Sequence, residues 1–381
     1  MKKIISILLS AVLLLCVLPA VRAEGLDVPA PSAILMDAAT GTVLYEKNAD
    51  EKLPPASVTK IMTLLLVMEA LDSGRIGWDD MVTASEAAAA KGGSQVYLEV
   101  GEQMSMDEML KSVVVSSAND CATALAEHVA GSEAAFVEKM NTRAAELGME
   151  NTHFVNCTGL DDGENASEHL TTARDIAIMS RELLTHEEIK KYTTIWMDTV
   201  RNGQFGLSNT NKLVRFYEGT TGLKTGYTST AGHCLSASAQ RDGMELIAVV
   251  LHCESSTDRF RSAKALLDYG FANYALADTR PEEPLQPVRV ILGEESTLTP
   301  VLQQTAPILI EKGELAGITK TVTLCQEVEA PVEAGQQLGT LTLSTSTRTL
   351  AEIPIIAPQA VEKLTLWELA ARLLKRACMG G

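Results

Sequence analysis

A serine and a lysine three residues apart, Ser57 and Lys60, stand where Pro54-Pro55-Ala56-Ser57-Val58-Thr59-Lys60 runs into the apolar segment from Ile61 to Met68. Two prolines followed by good helix formers predict a helix N-terminus, because proline is tolerated before or within a first turn. On such a helix residues three apart lie about 60° around the axis, so both side chains share one face. A hydroxyl beside an amine is a nucleophile beside a base. The hydroxyl is unreactive at its free pKa, and an amine activates it only when neutral, a state that burial and neighbouring cations favour. Alone, Ser-Xaa-Xaa-Lys is common and reads more readily as an N-cap serine followed by a solvated lysine.

The elements around this pair must bring further chemistry to it. A hairpin is expected ahead of it, from Ser32–Asp37 through the turn Ala38-Ala39-Thr40-Gly41 into Thr42–Glu46. Four Ala-, Glu-, Met- and Leu-rich stretches follow, at 84–91, 106–115, 121–130 and 133–147, with Gly131 and Gly148 as stops; they predict an inserted helical block. Asn156–Gly163 reads as loop and Thr171–Leu184 as a helix with its start signal. Leu223–Thr228, Gly232–Gln240 and Met244–Cys253 read as three adjacent antiparallel strands, closed by a helix over 257–275. Arg280-Pro281-Glu282-Glu283-Pro284 is a linker; beyond it Val288–Leu292, Thr319–Leu324 and Gln337–Leu343 predict a small all-β domain that Pro354 and Pro358 end. The domain reading is therefore 1–23 leader, 24–280 catalytic domain, 281–358 β domain and 359–381 tail.

Composition removes several classes of function. The 381-residue chain is 46% hydrophobic and carries a net charge of −17, which makes nucleic acid an improbable partner. Lys2 and Lys3, an apolar run from Ile4 to Leu18 and Val21-Arg22-Ala23 before Glu24 form an export signal. A retained membrane helix is the alternative, against which stand the shortness of the run and Pro19. The cysteines beyond the leader show no zinc spacing, the histidines none for any metal, and the acids Asp161, Asp162 and Glu164 lack the calcium-loop pattern. No metal or other cofactor is expected. From Leu364 to Cys378, Leu366, Trp367, Ala370, Leu373, Leu374 and Ala377 fall on one side of a helix and Glu368, Arg372, Lys375 and Arg376 on the other. That pattern suits a helix lying in a membrane interface, or one docked on the β domain.

Two short motifs raise the significance of Ser57 and Lys60. Ser117-Ala118-Asn119 offers a hydroxyl and an amide at a turn between helices, and Lys224-Thr225-Gly226-Tyr227 a cation and a hydroxyl on a strand whose glycine permits close approach. In the order Ser-Xaa-Xaa-Lys, Ser-Xaa-Asn, Lys-Thr-Gly they match the set of penicillin-binding proteins and class A β-lactamases. With Asp37–Gly41, Ala56–Thr63, Asn156-Cys157-Thr158-Gly159-Leu160, the β domain and the tail, the chain resembles a low-molecular-mass penicillin-binding protein of the serine D-alanyl-D-alanine carboxypeptidase type. Ala118 departs from the glycine many relatives carry.

The resemblance implies an α+β fold: a transpeptidase-like domain, antiparallel sheet flanked by helices with a helical subdomain, then a small all-β domain and an amphipathic C-terminal helix. It implies that Ser57 attacks the peptide bond between two D-alanines of a peptidoglycan stem peptide, that Lys60 takes its proton, and that β-lactams bind covalently. Ser117 would relay a proton to the leaving amine, and Asn119 would orient Lys60 and the substrate amide. Lys224 and Thr225 would hold the terminal carboxylate, with Lys224 helping to keep Lys60 neutral by like-charge repulsion. Backbone N–H groups of Ser57 and Tyr227, beside Gly226, would form the oxyanion hole. Arg259 is read either as a contact to the carboxylate or as a surface ion pair. An exported enzyme at the outer face of the cytoplasmic membrane, facing the wall, follows. Two other readings compete: a class A-like β-lactamase, whose Glu-Xaa-Xaa-Leu-Asn is missing here, and a non-catalytic wall-binding protein.

Overall fold

The computed structural model describes residues 26–379 apart from 162 and 164. The leader read at 1–23 and the acids Asp162 and Glu164 lie outside the described residues. One compact unit takes the chain up to Arg241 together with Glu245–Gly270; the other takes Asp242–Met244 and the chain from Phe271 on.

The first unit is built on a five-stranded sheet of β1 (Ser32–Asp37), β2 (Val43–Lys47), β3 (Thr220–Thr228), β4 (Gly232–Arg241) and β5 (Met244–Cys253), in the order β2-β1-β5-β4-β3. The antiparallel trio read from the sequence is present, with β3 at the edge. β1 is buried along its whole length and β5 almost so, which explains their continuous apolar runs: both faces of the sheet are covered. Alternate residues separate the two faces. Ile34, Met36, Ile247 and Val249 belong to the large core under helix α1 (Lys60–Asp72). Leu35 and Leu246 instead meet Gly270 on the C-terminal helix of this unit, where a Cβ would come within 2.4 Å of Leu246 Cδ1.

α1 is apolar on all sides, as a helix buried on all sides must be. Around it lie α2 (Met106–Val115), α3 (Asn119–Ala130), α4 (Glu133–Glu146) and α5 (Ala173–Leu184). Ser105, Ser132 and Thr172 cap α2, α4 and α5 by accepting a first-turn N–H, and Gly131 ends α3 in the left-handed conformation. The helix expected over 84–91 contracts to Glu86–Ala89, since Lys91-Gly92-Gly93 turns away.

The second unit contains a four-stranded antiparallel sheet in the order Val301–Leu302, Thr349–Ile356, Gln337–Ser344, Thr319–Leu324, closed around Leu341, Leu343, Ile353 and Ile355. Pro354 does not end this domain but lies inside the strand Thr349–Ile356, opposite Thr340. Its carbonyl accepts from Gln303 N–H. The side on which its own N–H is missing is therefore that of the two-residue neighbour, where a proline is tolerated. Last comes α6 (Leu366–Met379), started by a capping box of Thr365 and Glu368. Arg372 donates to the carbonyls of Gly293 and Glu294, while Leu366 and Trp367 stay 84% and 87% exposed. No helix among the described residues is long and apolar enough to cross a membrane.

Candidate active site

Ser57 does not open an α-helix directly. It sits in a single 3₁₀ turn, Ala56–Thr59, and α1 begins at Lys60. The turn is tight because Ala56 takes a positive φ of 48°, an uncommon conformation for alanine held in place by packing. Two glycines make that packing possible. A Cβ on Gly159, itself at φ 82°, would lie 1.8 Å from the Ala56 carbonyl oxygen. A Cβ on Gly226 would lie 2.7 Å from the Pro55 carbonyl oxygen and 3.1 Å from Ser57 N. The Lys-Thr-Gly strand therefore runs against the backbone of the nucleophile turn, with Ser57 N beside it.

Lys60 is fully buried at the floor of this cleft. Its Nζ lies 2.9 Å from Ser57 Oγ and donates to the Thr158 carbonyl at 2.7 Å. Burial pulls its pKa down to about 7, against the opposing pull of Cys157 and Asp120. Burial is the first cause of that lowering. Lys224 is held well below its ordinary value by burial first and then by the charges of Lys60 and Arg259, and because repulsion between two cations is mutual it weighs on both lysines.

Ser117 occupies a left-handed position, φ 62°, in the turn between α2 and α3, with buried Ala118 behind it. The turn is kept by Ala118 N–H on the Ser112 carbonyl and Asn119 N–H on the Ser94 carbonyl. From it Ser117 Oγ accepts from Lys224 Nζ at 2.8 Å, giving a second serine–lysine pair. Asn119 Nδ2 donates to the Gly92 carbonyl at 2.7 Å, and Oδ1 is buried without a hydrogen-bond partner among the described residues. Lys60 is thus oriented by Thr158, whose carbonyl makes the contact read from the sequence as Asn119's.

On β3, Lys224 is buried and also donates to the Thr225 carbonyl; Thr225 Oγ1 donates to Thr210 Oγ1 at 2.7 Å. Tyr227 is 59% exposed and stacks on His233 with ring centroids 4.3 Å apart. Arg259 makes no ion pair among the described residues. Its guanidinium is buried, donates from Nη1 to the Gly226 carbonyl at 3.0 Å and keeps Nε without a partner among the described residues. It braces the backbone of the Lys-Thr-Gly strand. Thr158, Asn156, Thr210 and His169 carry no role in the sequence reading. Asn156 alone left a signal, an asparagine two and three residues before Thr158-Gly159, the pattern of an Asx turn. His169 Nδ1 accepts from Val155 N–H, which leaves the Nε2 hydrogen for Thr59 Oγ1 at 2.7 Å.

The comparisons agree with this geometry. Residues 19–255 match the model of the D-alanyl-D-alanine carboxypeptidase family, and residues 280–363 that of the penicillin-binding protein 5 C-terminal domain. The chain is 41% identical over 378 residues to the D-alanyl-D-alanine carboxypeptidase DacF of Bacillus subtilis, covering 95% of both. Among solved structures it is similar to penicillin-binding protein 5 of Haemophilus influenzae, with a TM-score of 0.75 and 31% identity over 88% of this chain and 98% of that one. It is also similar to penicillin-binding protein D2 of Listeria monocytogenes in its ampicillin-bound form, with a TM-score of 0.59 and 33% identity, covering 65% of this chain and 99% of the other. By sequence, fold and the constellation in its cleft, the chain belongs to the D-alanyl-D-alanine carboxypeptidase family.

Proposed function

We propose that this chain is a serine carboxypeptidase that removes the terminal D-alanine from peptidoglycan stem pentapeptides, and that penicillins acylate the same serine. The observation that carries the reading is the 2.9 Å contact between Ser57 Oγ and a buried Lys60 with a pKa near 7. Near neutral pH a large share of Lys60 is an amine able to take the serine proton. The freed Oγ attacks the carbonyl carbon of the penultimate D-alanine, and the oxyanion is received by the N–H groups of Ser57 and Tyr227. The C–N bond breaks as a proton, relayed through Ser117, reaches the leaving nitrogen. Water then adds to the ester, releasing the shortened peptide and restoring Ser57.

Lys224 and Thr225 suit the substrate carboxylate. In the free site two buried lysines and Arg259 repel one another, so an entering carboxylate supplies the counter-charge that stabilises the Lys224 ammonium. That ammonium in turn disfavours a second one on Lys60. A β-lactam follows the same first step, except that its opened amine stays tethered and the adduct persists. The intact serine–lysine contact speaks against a purely wall-binding protein. Against a class A β-lactamase stands the absent Glu-Xaa-Xaa-Leu-Asn. Incubation with a pentapeptide ending in D-Ala-D-Ala should release D-alanine, and Ser57→Ala should abolish both release and the mass of a penicillin adduct. Release by Ser57→Ala at the rate of the unaltered chain would refute the assignment.

We further propose that the enzyme is exported and that α6 holds it at the membrane surface. Exposed Leu366 and Trp367, together with the cations Lys375 and Arg376 that the sequence places in the same tail, support this. A chain ending at Ala360 should wash off anionic vesicles that retain the full chain; equal retention would refute the anchor.

A further inference from the structure

Building on Ser57 as nucleophile and Lys60 as base, we propose that Asn156 is a positioning residue for that base, acting through the backbone carbonyl of Thr158. A neutral amine has two N–H bonds and one lone pair, and only the lone pair can take the Ser57 proton. A carbonyl oxygen accepts and never donates, so the contact from Lys60 Nζ to Thr158 O occupies an N–H. This turns the lone pair toward Ser57 Oγ, the other partner of Nζ. The Thr158 carbonyl stands to Lys60 as the third member of a triad stands to its base.

Asn156 sets where that carbonyl points. Its Oδ1 accepts from Thr158 N at 3.1 Å, Thr158 Oγ1 at 3.1 Å and Gly159 N at 2.7 Å, and its Nδ2 donates to the Leu160 carbonyl at 2.9 Å. One carboxamide therefore fixes the peptide units on both sides of Thr158, the second of which carries the Thr158 carbonyl and the N–H of Gly159, the residue that packs on Ala56. The same segment is anchored separately by Asn141, whose two polar atoms are both paired with the Phe154 backbone at 2.8 Å. Anchoring the segment and aiming the carbonyl are thus assigned to different side chains, and can be separated.

The test is the rate at which a fluorescent penicillin labels the full chain, followed between about pH 5 and 9. Asn156→Ala should label on the order of 10²-fold more slowly, the usual cost of a misplaced reacting group. Its rising pH limb should move upward, because a loosened carbonyl admits water to Lys60. Asn156→Asp keeps the acceptor for all three donors, so it should recover most of the rate at high pH, with the limb ~1 unit higher from its added negative charge. Asn141→Ala should lower the Tm while leaving labelling rate and pH midpoint as in the unaltered chain. The proposal falls if Asn156→Ala labels normally with an unmoved midpoint, or if Asn141→Ala reproduces both changes. A labelled parent with an indifferent Asn156 removes this proposal alone; a parent that takes no label on Ser57 removes the carboxypeptidase reading with it.

Discussion

The two serine–lysine pairs of the cleft are nearly equal in length, 2.9 Å for Ser57–Lys60 and 2.8 Å for Ser117–Lys224, and both lysines are buried. What separates them is their company. Lys60 rests on the carbonyl of Thr158, with Cys157 and then Asp120 lifting its pKa against burial, which leaves it at about 7. Lys224 has Lys60 and Arg259 as its charged neighbours, and both push the same way as burial. Similar geometry thus gives two functions: a lysine near neutrality is a base, and a lysine among cations awaits an anion.

Exchanging charge at each pair should expose this difference. Lys60→Arg keeps a cation that cannot lose its proton, and should lower D-alanine release by about 10²–10⁴-fold on every substrate. Lys224→Gln should cost about 10²-fold in kcat/KM on a peptide ending in a carboxylate, and far less on the same peptide ending in an amide. Equal losses on both peptides would show that Lys224 serves Ser117 and not the carboxylate. A smaller effect concerns the support of the first pair. His169, buried against Thr59, is pulled down to about 4 by burial, so it stays neutral in the fold where the unfolded chain would be protonated. Its contribution is complete above about pH 6.5 and lost as the pH falls through 4, on the order of 3 kcal/mol at most. Urea unfolding at several pH values should show this loss, and His169→Gln should flatten it.

Much of the cleft could be read from the order of three short motifs, because side-chain chemistry is written in the residue letters. The structure brings Ser57, Lys60, Ser117, Lys224 and Gly226 together as that order implies. The partner of Lys60 is not legible, since a backbone carbonyl has no letter of its own; the sequence points to Asn119, whose Nδ2 is spent on Gly92 and whose Oδ1 stays without a partner among the described residues. Burial of Arg259 was equally hidden, because an arginine on a closing helix looks solvated until the strand beneath it is placed. In the fold, the hairpin turn at Ala38–Gly41 and the β-rich segments Gly232–Gln240 and Met244–Cys253 mark the central strands. The strand through Pro354 is not legible, because a proline reads as a stop unless its missing N–H is known to face a neighbour too short to need it.

The claim on which the rest depends is that Lys60 works as a neutral amine. The direct measurement is the pH dependence of single-turnover acylation of Ser57 by penicillin in the unaltered chain. Deprotonation creates the active form, so the rate should rise with pH through a midpoint near Lys60's value of about 7 and level off above it. A rate unchanged down to about pH 5, or one still rising near the ordinary lysine value of about 10, would contradict the assignment of Lys60 as the base.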